Sequence, residues 1–222
     1  ALGPVTTHMR APELAWMLLL VAAASMVLGN LAALPQSDTR RLMAYSGVAH
    51  TGYLLLAFAP GDTYAGAAAL FYAVAYAVPS LAVMLVVAEE GPAVTDLAGL
   101  AARRPPAAWA MVVWLVSLIG IPPLAGFFGK LYLFSSALDG ASTPWPLAAV
   151  VLAVVMSVVS AGYSFRLVRE MFFAEEPAEE PSSERSAALS RSMSAAAAIA
   201  LATVATAAIG LAASPLLAAL GL

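Results

Sequence analysis

The chain has 222 residues, of which 62% are hydrophobic and 10% are charged, and its formal net charge at pH 7 is −3. A soluble domain carries roughly 25% charged residues, so this composition excludes an ordinary soluble fold and predicts an integral membrane protein. The small net charge, with basic residues scattered in pairs, gives no reason to expect nucleic acid as a partner, and the lack of cysteine excludes disulfides and cysteine-ligated metal or iron–sulfur sites in this sequence.

Six hydrophobic segments reach the length of about 20 residues that a membrane-spanning helix needs. They cover residues 12–34, 41–59, 64–88, 107–138, 146–171 and 194–219. The predicted fold class is therefore all-α, a polytopic transmembrane helix bundle in a single domain over residues 1–222. The first residues carry neither an initiator Met nor the pattern of a signal peptide, and we expect the chain to begin partway through a longer polypeptide.

The second segment carries polar residues on one helix face. Ser46, His50 and Tyr53 are spaced by four and three residues, which places them on the same side of a helix. A histidine near the middle of the membrane, with hydroxyls beside it, suits a proton relay because imidazole titrates near neutral pH. The alternative is a histidine that only forms hydrogen bonds within the helix bundle, and the spacing leaves both interpretations open.

Turn residues separate the early segments, and a proline interrupts the third. Pro35 and Asp38 end the first helix and begin the second, and Asp62 or Thr63 is a possible N-cap for the third. Pro79 predicts a kink in the third span. Tyr72 and Tyr76 lie one turn apart beside it, and we interpret this region as a kinked packing helix.

The fourth segment is too long for one straight helix and is interrupted by Gly120, Pro122 and Pro123. Proline removes a backbone donor, so the carbonyls near residues 117–119 are expected to lose their helical partners. Inside a membrane such groups are tolerated only where protein or a water-filled cavity satisfies them. Breaks of this kind indicate a transport site.

Lys130, the only lysine in the chain, follows this break by about two turns. A lysine at the centre of a spanning helix costs about 2.5 to 3.5 kcal/mol on insertion scales, and such a residue is functional by default. We therefore predict that Lys130 is a proton relay, with Gly126 and Gly129 leaving room for backbone or water. The alternative is a packing device in which Lys130 pairs with a carboxylate or with the freed carbonyls.

Arginines alternate between the connections and predict the orientation in the membrane. They occur only in the first, third and fifth connections, as Arg40, Arg41, Arg103, Arg104, Arg166, Arg169, Arg185 and Arg191. The positive-inside rule makes these connections cytoplasmic and places both chain ends on the opposite face. Arg10 does not fit this pattern. The glutamates at 175, 176, 179, 180 and 184 are interpreted as a solvated loop.

Four stretches together resemble a known family. They are GNLAAL (29–34), RRLMAYSGVAHTGYLLLA (40–57), SLIGIPPLAGFFGKLYLF (117–134) and SAGYSFRLV (160–168). They resemble the proton-translocating antiporter-like membrane subunits of respiratory complex I, the NADH:quinone oxidoreductase, and most closely its subunit N branch. The stretch GIPPLAGFFGK is the most specific part of the match.

The resemblance implies a fold of two inverted five-helix repeats, each with a broken helix, joined by a central hydrophilic axis. This chain resembles the C-terminal portion, which is the second repeat with the final helix. The resemblance implies that Lys130 belongs to a half-channel or terminal relay and that His50 lies along the axis. It also implies that the partners are other membrane-arm subunits and lipid. NADH, FMN, iron–sulfur clusters and quinone are then expected on partner subunits, with no cofactor in this chain.

The predicted function is proton translocation coupled to quinone reduction, in a bacterial inner membrane, without independent bond chemistry in this chain. Two alternatives remain open at this point. One is a subunit of a multisubunit sodium/proton antiporter, which the resemblance also covers. The other is a structural or assembly subunit in which Lys130 only supports the fold.

Overall fold

The computed structural model describes residues 12–58, 64–139, 143–175 and 193–213, and the regular structure in these ranges is helical. The helices are α1 Pro12–Ala33, α2 Thr39–Phe58, α3 Ala65–Glu90, α4 Leu100–Arg103, α5 Pro105–Ile119, α6 Ala125–Leu138, α7 Trp145–Phe173 and α8 Met193–Leu211. A 3-10 turn, Val94–Leu97, precedes α4. The predicted all-α fold class is confirmed.

The interruption in the fourth hydrophobic segment is present, since α5 ends at Ile119 and α6 begins at Ala125. By length and composition, α1, α3 and α7 are each able to cross a membrane, while α5 and the apolar part of α8 are shorter. Pro79 lies inside α3, which continues to Glu90. The N-cap of α3 is Tyr64, not Asp62 or Thr63 as the sequence predicted. Asp62 and Thr63 lie outside the described residues, as do the chain ends with Arg10, the acidic run beyond Glu175, Arg185 and Arg191.

Two glycines allow α1 and α2 to pack backbone against backbone. A Cβ at Gly29 would meet the backbone nitrogen of Ala49 at 2.5 Å, and one at Gly52 would meet the carbonyl oxygen of Ala22 at 2.7 Å. Small residues at helix contacts are the usual means of close packing in membranes. Asp38 begins α2 as predicted, because its carboxylate accepts the backbone N–H of Arg41 at 3.0 Å.

The core consists of two apolar clusters with a polar layer between them. One cluster includes Leu42, Trp114 and Leu167, and the other includes Leu56 and Leu133. Along α1, α2 and α7 the members of the two clusters lie on either side of buried polar residues. These residues are Asn30, Ser46, His50 and Ser160. The fold therefore holds polar side chains at mid-height, sealed above and below by apolar packing.

The third connection folds back onto the first. Val94 donates its backbone N–H to Ser37 at 2.8 Å, and Thr39 donates to Pro92 at 2.6 Å. The carboxylate of Glu90 is almost fully buried and forms salt bridges with Arg103 at 3.0 Å and Arg104 at 2.8 Å. The connection between the third and fourth hydrophobic segments is thus an ordered part of the bundle end.

Candidate functional site

The site begins at the carboxyl end of α5, where the helix ends at Ile119 inside the bundle. Gly120 adopts a left-handed conformation with φ 95°, and the backbone N–H groups of Gly120 and Ile121 both donate to Val116 at 3.2 Å. Gly120 also donates to Ser117 at 3.0 Å. The carbonyls of the last two helical residues, Leu118 and Ile119, then need other donors, because nothing continues the helix.

Lys130 supplies those donors. Its Nζ lies 2.7 Å from the carbonyl oxygen of Ile119, 3.1 Å from that of Leu118 and 3.1 Å from Ser157 Oγ. The residue is 5% exposed, and the Tyr53 ring centroid is 5.0 Å from Nζ. The C-terminal end of a helix carries partial negative charge, which favours a cation there.

Among the residues that the structure describes, no carboxylate forms a salt bridge with Lys130. The freed carbonyls of α5 therefore act as its electrostatic partner, as one of the two interpretations of the sequence allowed. This arrangement holds an amine in the interior with its donors satisfied, next to a hydroxyl that can both donate and accept. Such an amine can gain or lose a proton provided that a path leads to it.

The glycines of α6 admit protein rather than open space. Gly126 donates its backbone N–H to Ser117 Oγ at 3.1 Å, and a Cβ there would overlap the carbonyl oxygen of Ser117. A Cβ at Gly129 would lie 2.7 Å from the Tyr72 ring. Pro122 and Pro123 form the exposed turn of the break and are joined by a cis peptide bond. These four residues shape the break, and none of them is a hydrogen-bonding partner of Lys130 Nζ.

A chain of hydrogen-bonding groups leads away from Lys130, and we call it the polar chain. Ser157 Oγ lies 3.5 Å from the Tyr53 hydroxyl, which accepts a hydrogen bond from Asn30 Nδ2 at 3.3 Å. Asn30 Nδ2 also donates to the carbonyl of Met26 at 2.8 Å. Tyr53 and Asn30 are 1% and 0% exposed, so this part of the polar chain is buried inside the helix bundle.

The polar chain continues towards the bundle end that carries the first and third connections. The Tyr163 hydroxyl lies 3.2 Å from Asn30 Oδ1 and 3.3 Å from Ser46 Oγ. Tyr163 lies in the second half of α7, and one turn later Arg166 donates to the carbonyls of Leu34, at 2.8 Å, and Gln36. The polar chain thus connects the broken helix with the end of the bundle where those two connections meet.

His50 lies in a separate aromatic cluster. Its Nδ1 is 2.6 Å from the Tyr72 hydroxyl, and its ring stacks on Tyr76 with centroids 4.3 Å apart. The ring of Tyr53 meets His50 edge to face at 5.6 Å. No hydrogen bond joins His50 to Lys130 in the described residues, but Tyr53 contacts both. Tyr72 and Tyr76, interpreted from the sequence as packing residues beside a kink, are also the partners of His50.

Ser46, His50 and Tyr53 are all buried and face the bundle interior from α2, as their spacing predicts. Sequence reasoning did not single out Asn30, Ser157 or Tyr163. Asn30 had a signal, because an amide in an apolar helix needs partners inside the bundle. Ser157 had no signal of its own, since serines are common in this sequence, and Tyr163 had only its place in the stretch SAGYSFRLV (160–168). Within the described residues, no cluster of His, Cys, Asp or Glu is suited to a metal ion.

The chain is similar in sequence to known membrane proteins. The family described as "NADH:quinone oxidoreductase/Mrp antiporter, TM" matches residues 4–159. NADH-quinone oxidoreductase subunit N 2 of Acidobacterium capsulatum is 43% identical over 78% of this chain and 36% of that protein. Subunit N of Rubrobacter xylanophilus is 42% identical over 75% of this chain and 35% of that protein. The chain therefore spans about a third of the length of these relatives.

Solved structures share the same arrangement of helices. A chain of respiratory complex I from Thermus thermophilus with bound aureothin has a TM-score of 0.74 and 33% identity, over 92% of this chain and 44% of that one. A chain of the Mrp complex from a Dietzia species has a TM-score of 0.76 and 26% identity, over 93% of this chain and 46% of that one.

Proposed function

This chain belongs to the NADH:quinone oxidoreductase/Mrp antiporter transmembrane family, and from that premise we propose that it forms part of a proton-translocating membrane-arm subunit of an NADH:quinone oxidoreductase. The curated relatives named as subunit N support the oxidoreductase over the Mrp antiporter, because they are 42–43% identical to this chain while the Mrp chain is 26% identical. The chain covers only part of each relative, so the remaining elements of the proton path belong to the rest of the protein.

The observation that carries the proposal is the position of Lys130 Nζ between the free carbonyls of α5 and the polar chain. A charge change arriving along the membrane arm alters the proton affinity of Lys130 through electrostatics, which act strongly in a low-dielectric interior. Lys130 then exchanges its proton through the hydroxyl of Ser157 or through groups next to Tyr53. His50 is the second relay group of this proposal, and Tyr53 couples it to Lys130 because its ring contacts both.

The partners and cofactors follow from the same proposal. The subunit assembles with other membrane-arm subunits in lipid, while NADH, FMN, iron–sulfur clusters and quinone are bound by partner subunits. We place the chain in a bacterial inner membrane with its first, third and fifth connections in the cytoplasm. Backbone pairing between the first and third connections supports their position on the same side of the membrane. Arg166, near the fifth connection, donates to the carbonyl of Leu34 and supports the same side for that connection.

The test is substitution of Lys130 in the full-length subunit within the assembled complex. Lys130→Met removes the titratable amine but keeps an unbranched side chain. A positioned proton-transfer group contributes roughly 10²–10⁴-fold, so we expect NADH-driven proton pumping and coupled quinone reduction to fall by at least about tenfold in vesicles. Lys130→Arg and the neighbouring Leu131→Met serve as controls for charge and for packing. Unchanged pumping in fully assembled Lys130→Met complex would contradict the relay role.

The two alternatives give different results in the same system. A sodium/proton antiporter exchanges cations in vesicles without NADH and does not copurify with flavin and iron–sulfur subunits. If Lys130 serves only to cap α5, Lys130→Met lowers the amount of assembled complex, and the complex that does assemble pumps normally.

A further inference from the structure

A groove runs between α2 and α3 on the outer side of the bundle, and we call it the α2–α3 groove. It encloses a volume of about 210 Å³. Its walls are formed mainly by Arg40, Met43, Ala44, Tyr76, Leu81 and Met84. Lys130 does not line it, and the proposed function does not use it.

The groove is basic at one end and apolar along the rest of its length. Arg40 is an exposed residue at the first turn of α2, and among the described residues no carboxylate forms a salt bridge with it. The walls below are apolar, with Leu81 70% exposed. Ser80 also lines the groove, but its hydroxyl donates to the carbonyl of Tyr76 at 2.7 Å and is satisfied within α3. The groove thus presents one cation at a helix end and hydrocarbon towards the middle.

This pattern is complementary to one class of ligand. Basic pockets between transmembrane helices bind the headgroups of anionic lipids, and an apolar slot beneath the cation matches an acyl chain. Water would fill it as about seven molecules, but apolar walls supply few of the polar partners that such waters need.

We propose that the α2–α3 groove binds one anionic phospholipid, with its phosphate on Arg40 and an acyl chain along Met43, Leu81 and Met84. The inner end of the groove is Tyr76, whose ring stacks on His50. The bound chain therefore excludes water from this side of His50. His50 is then left with Tyr72 as its hydrogen-bonding partner, and protons do not leak from it to the outer surface of α2 and α3.

The first experiment measures lipid retained by the full-length subunit in its complex, purified in mild detergent and reconstituted with phosphatidylglycerol. Arg40→Gln is compared with Arg41→Gln, since Arg41 is equally exposed but does not line the groove. We expect Arg40→Gln to weaken retention of phosphatidylglycerol about fivefold, the effect of losing one basic contact to anionic lipid. Arg41→Gln should retain it as the unmodified protein does. Equal retention in both variants overturns the proposal.

A second measurement holds even if Arg40→Gln assembles poorly. Met84→Cys in a cysteine-free background of the full-length subunit reports on the contents of the groove. We expect slow reaction with a water-soluble thiosulfonate in bilayers containing phosphatidylglycerol, and faster reaction in bilayers of phosphatidylcholine alone. Fast reaction in both bilayers identifies a water-filled groove and overturns the proposal. Crosslinking of the Met84→Cys variant, through its new thiol, to a neighbouring subunit identifies a protein occupant and overturns it as well.

Discussion

Lys130 uses all the donors that its ammonium group has. An ammonium donates three hydrogen bonds and accepts none, and three acceptors lie within 3.1 Å of Nζ. A neutral amine has only two N–H bonds and one lone pair, so loss of a proton requires one of these contacts to change. Ser157 is the partner able to change, because a hydroxyl can turn from acceptor to donor while a carbonyl cannot. In the proposed relay, proton exchange at Lys130 is thereby linked to the hydrogen bond between Ser157 and Tyr53.

The hydroxyl of Tyr53 can be removed while its ring is kept. Tyr53→Phe keeps the ring that contacts Lys130 and His50 but removes the acceptor that Ser157 and Asn30 share. We expect a loss of stability of about 1 kcal/mol, typical of one buried hydrogen bond, and a several-fold lower pumping rate in assembled complex. Pumping is measured in vesicles, with thermal unfolding of the purified complex as the stability readout.

Tyr132→Phe, in the same helix as Lys130, is the matched control because its hydroxyl forms no hydrogen bond with the other described residues. If Tyr53→Phe and Tyr132→Phe pump equally, the polar chain does not carry protons to or from Lys130.

Among the helices, the break between α5 and α6 was predictable from the sequence, but the contacts that form around it were only partly predictable. Gly120 with two prolines within three residues predicts the break, because proline cannot continue the helical hydrogen bonds. The sequence also located the freed carbonyls near residues 117–119. It offered the pairing of Lys130 with these carbonyls only as an alternative and could not decide for it, since that contact depends on the angle at which α6 leaves the break. The polar chain joins α1, α2 and α7, and only tertiary packing brings these helices together.

The angle between α5 and α6 depends on the close contact between Gly126 and the backbone of Ser117. In Gly126→Ala the new methyl group meets the backbone of Ser117, and backbone cannot move away as a flexible side chain can. Overpacking of this kind costs about 1–3 kcal/mol, so we expect a lower unfolding temperature and less assembled complex. Gly66→Ala, where nothing lies within 4 Å of the new Cβ, should be neutral or stabilising because alanine is the better helix former. Equal unfolding temperatures for the two variants would contradict the close-contact argument.

In the whole molecule, one end of the bundle is closed by contacts between its connections. This end is closed by the Ser37–Val94 and Thr39–Pro92 backbone pairs and by the salt bridges of Glu90. At the same end Arg166 ties α7 to the first connection. The alternation of arginines in the sequence predicted a common side for these connections, and the contacts bring them together physically. The buried position of Glu90 could not be predicted, because a carboxylate at a helix end is more often solvated, and its partners Arg103 and Arg104 lie beyond the next turn of the chain.

Labelling from one side of the membrane tests which end faces the cytoplasm. Arg41 and Asp139 are exposed residues at opposite ends of the bundle, at the start of α2 and at the end of α6. Single cysteines at these positions can be compared in a cysteine-free full-length subunit, because the present chain contributes no cysteine of its own. Basic residues flanking spanning helices are retained in the cytoplasm, so a membrane-impermeant maleimide should label Arg41→Cys in inverted vesicles and Asp139→Cys in intact spheroplasts. The reverse pattern would mean that the arginine-rich end faces outward, and the proton path from Lys130 along the polar chain would then lead to the opposite compartment.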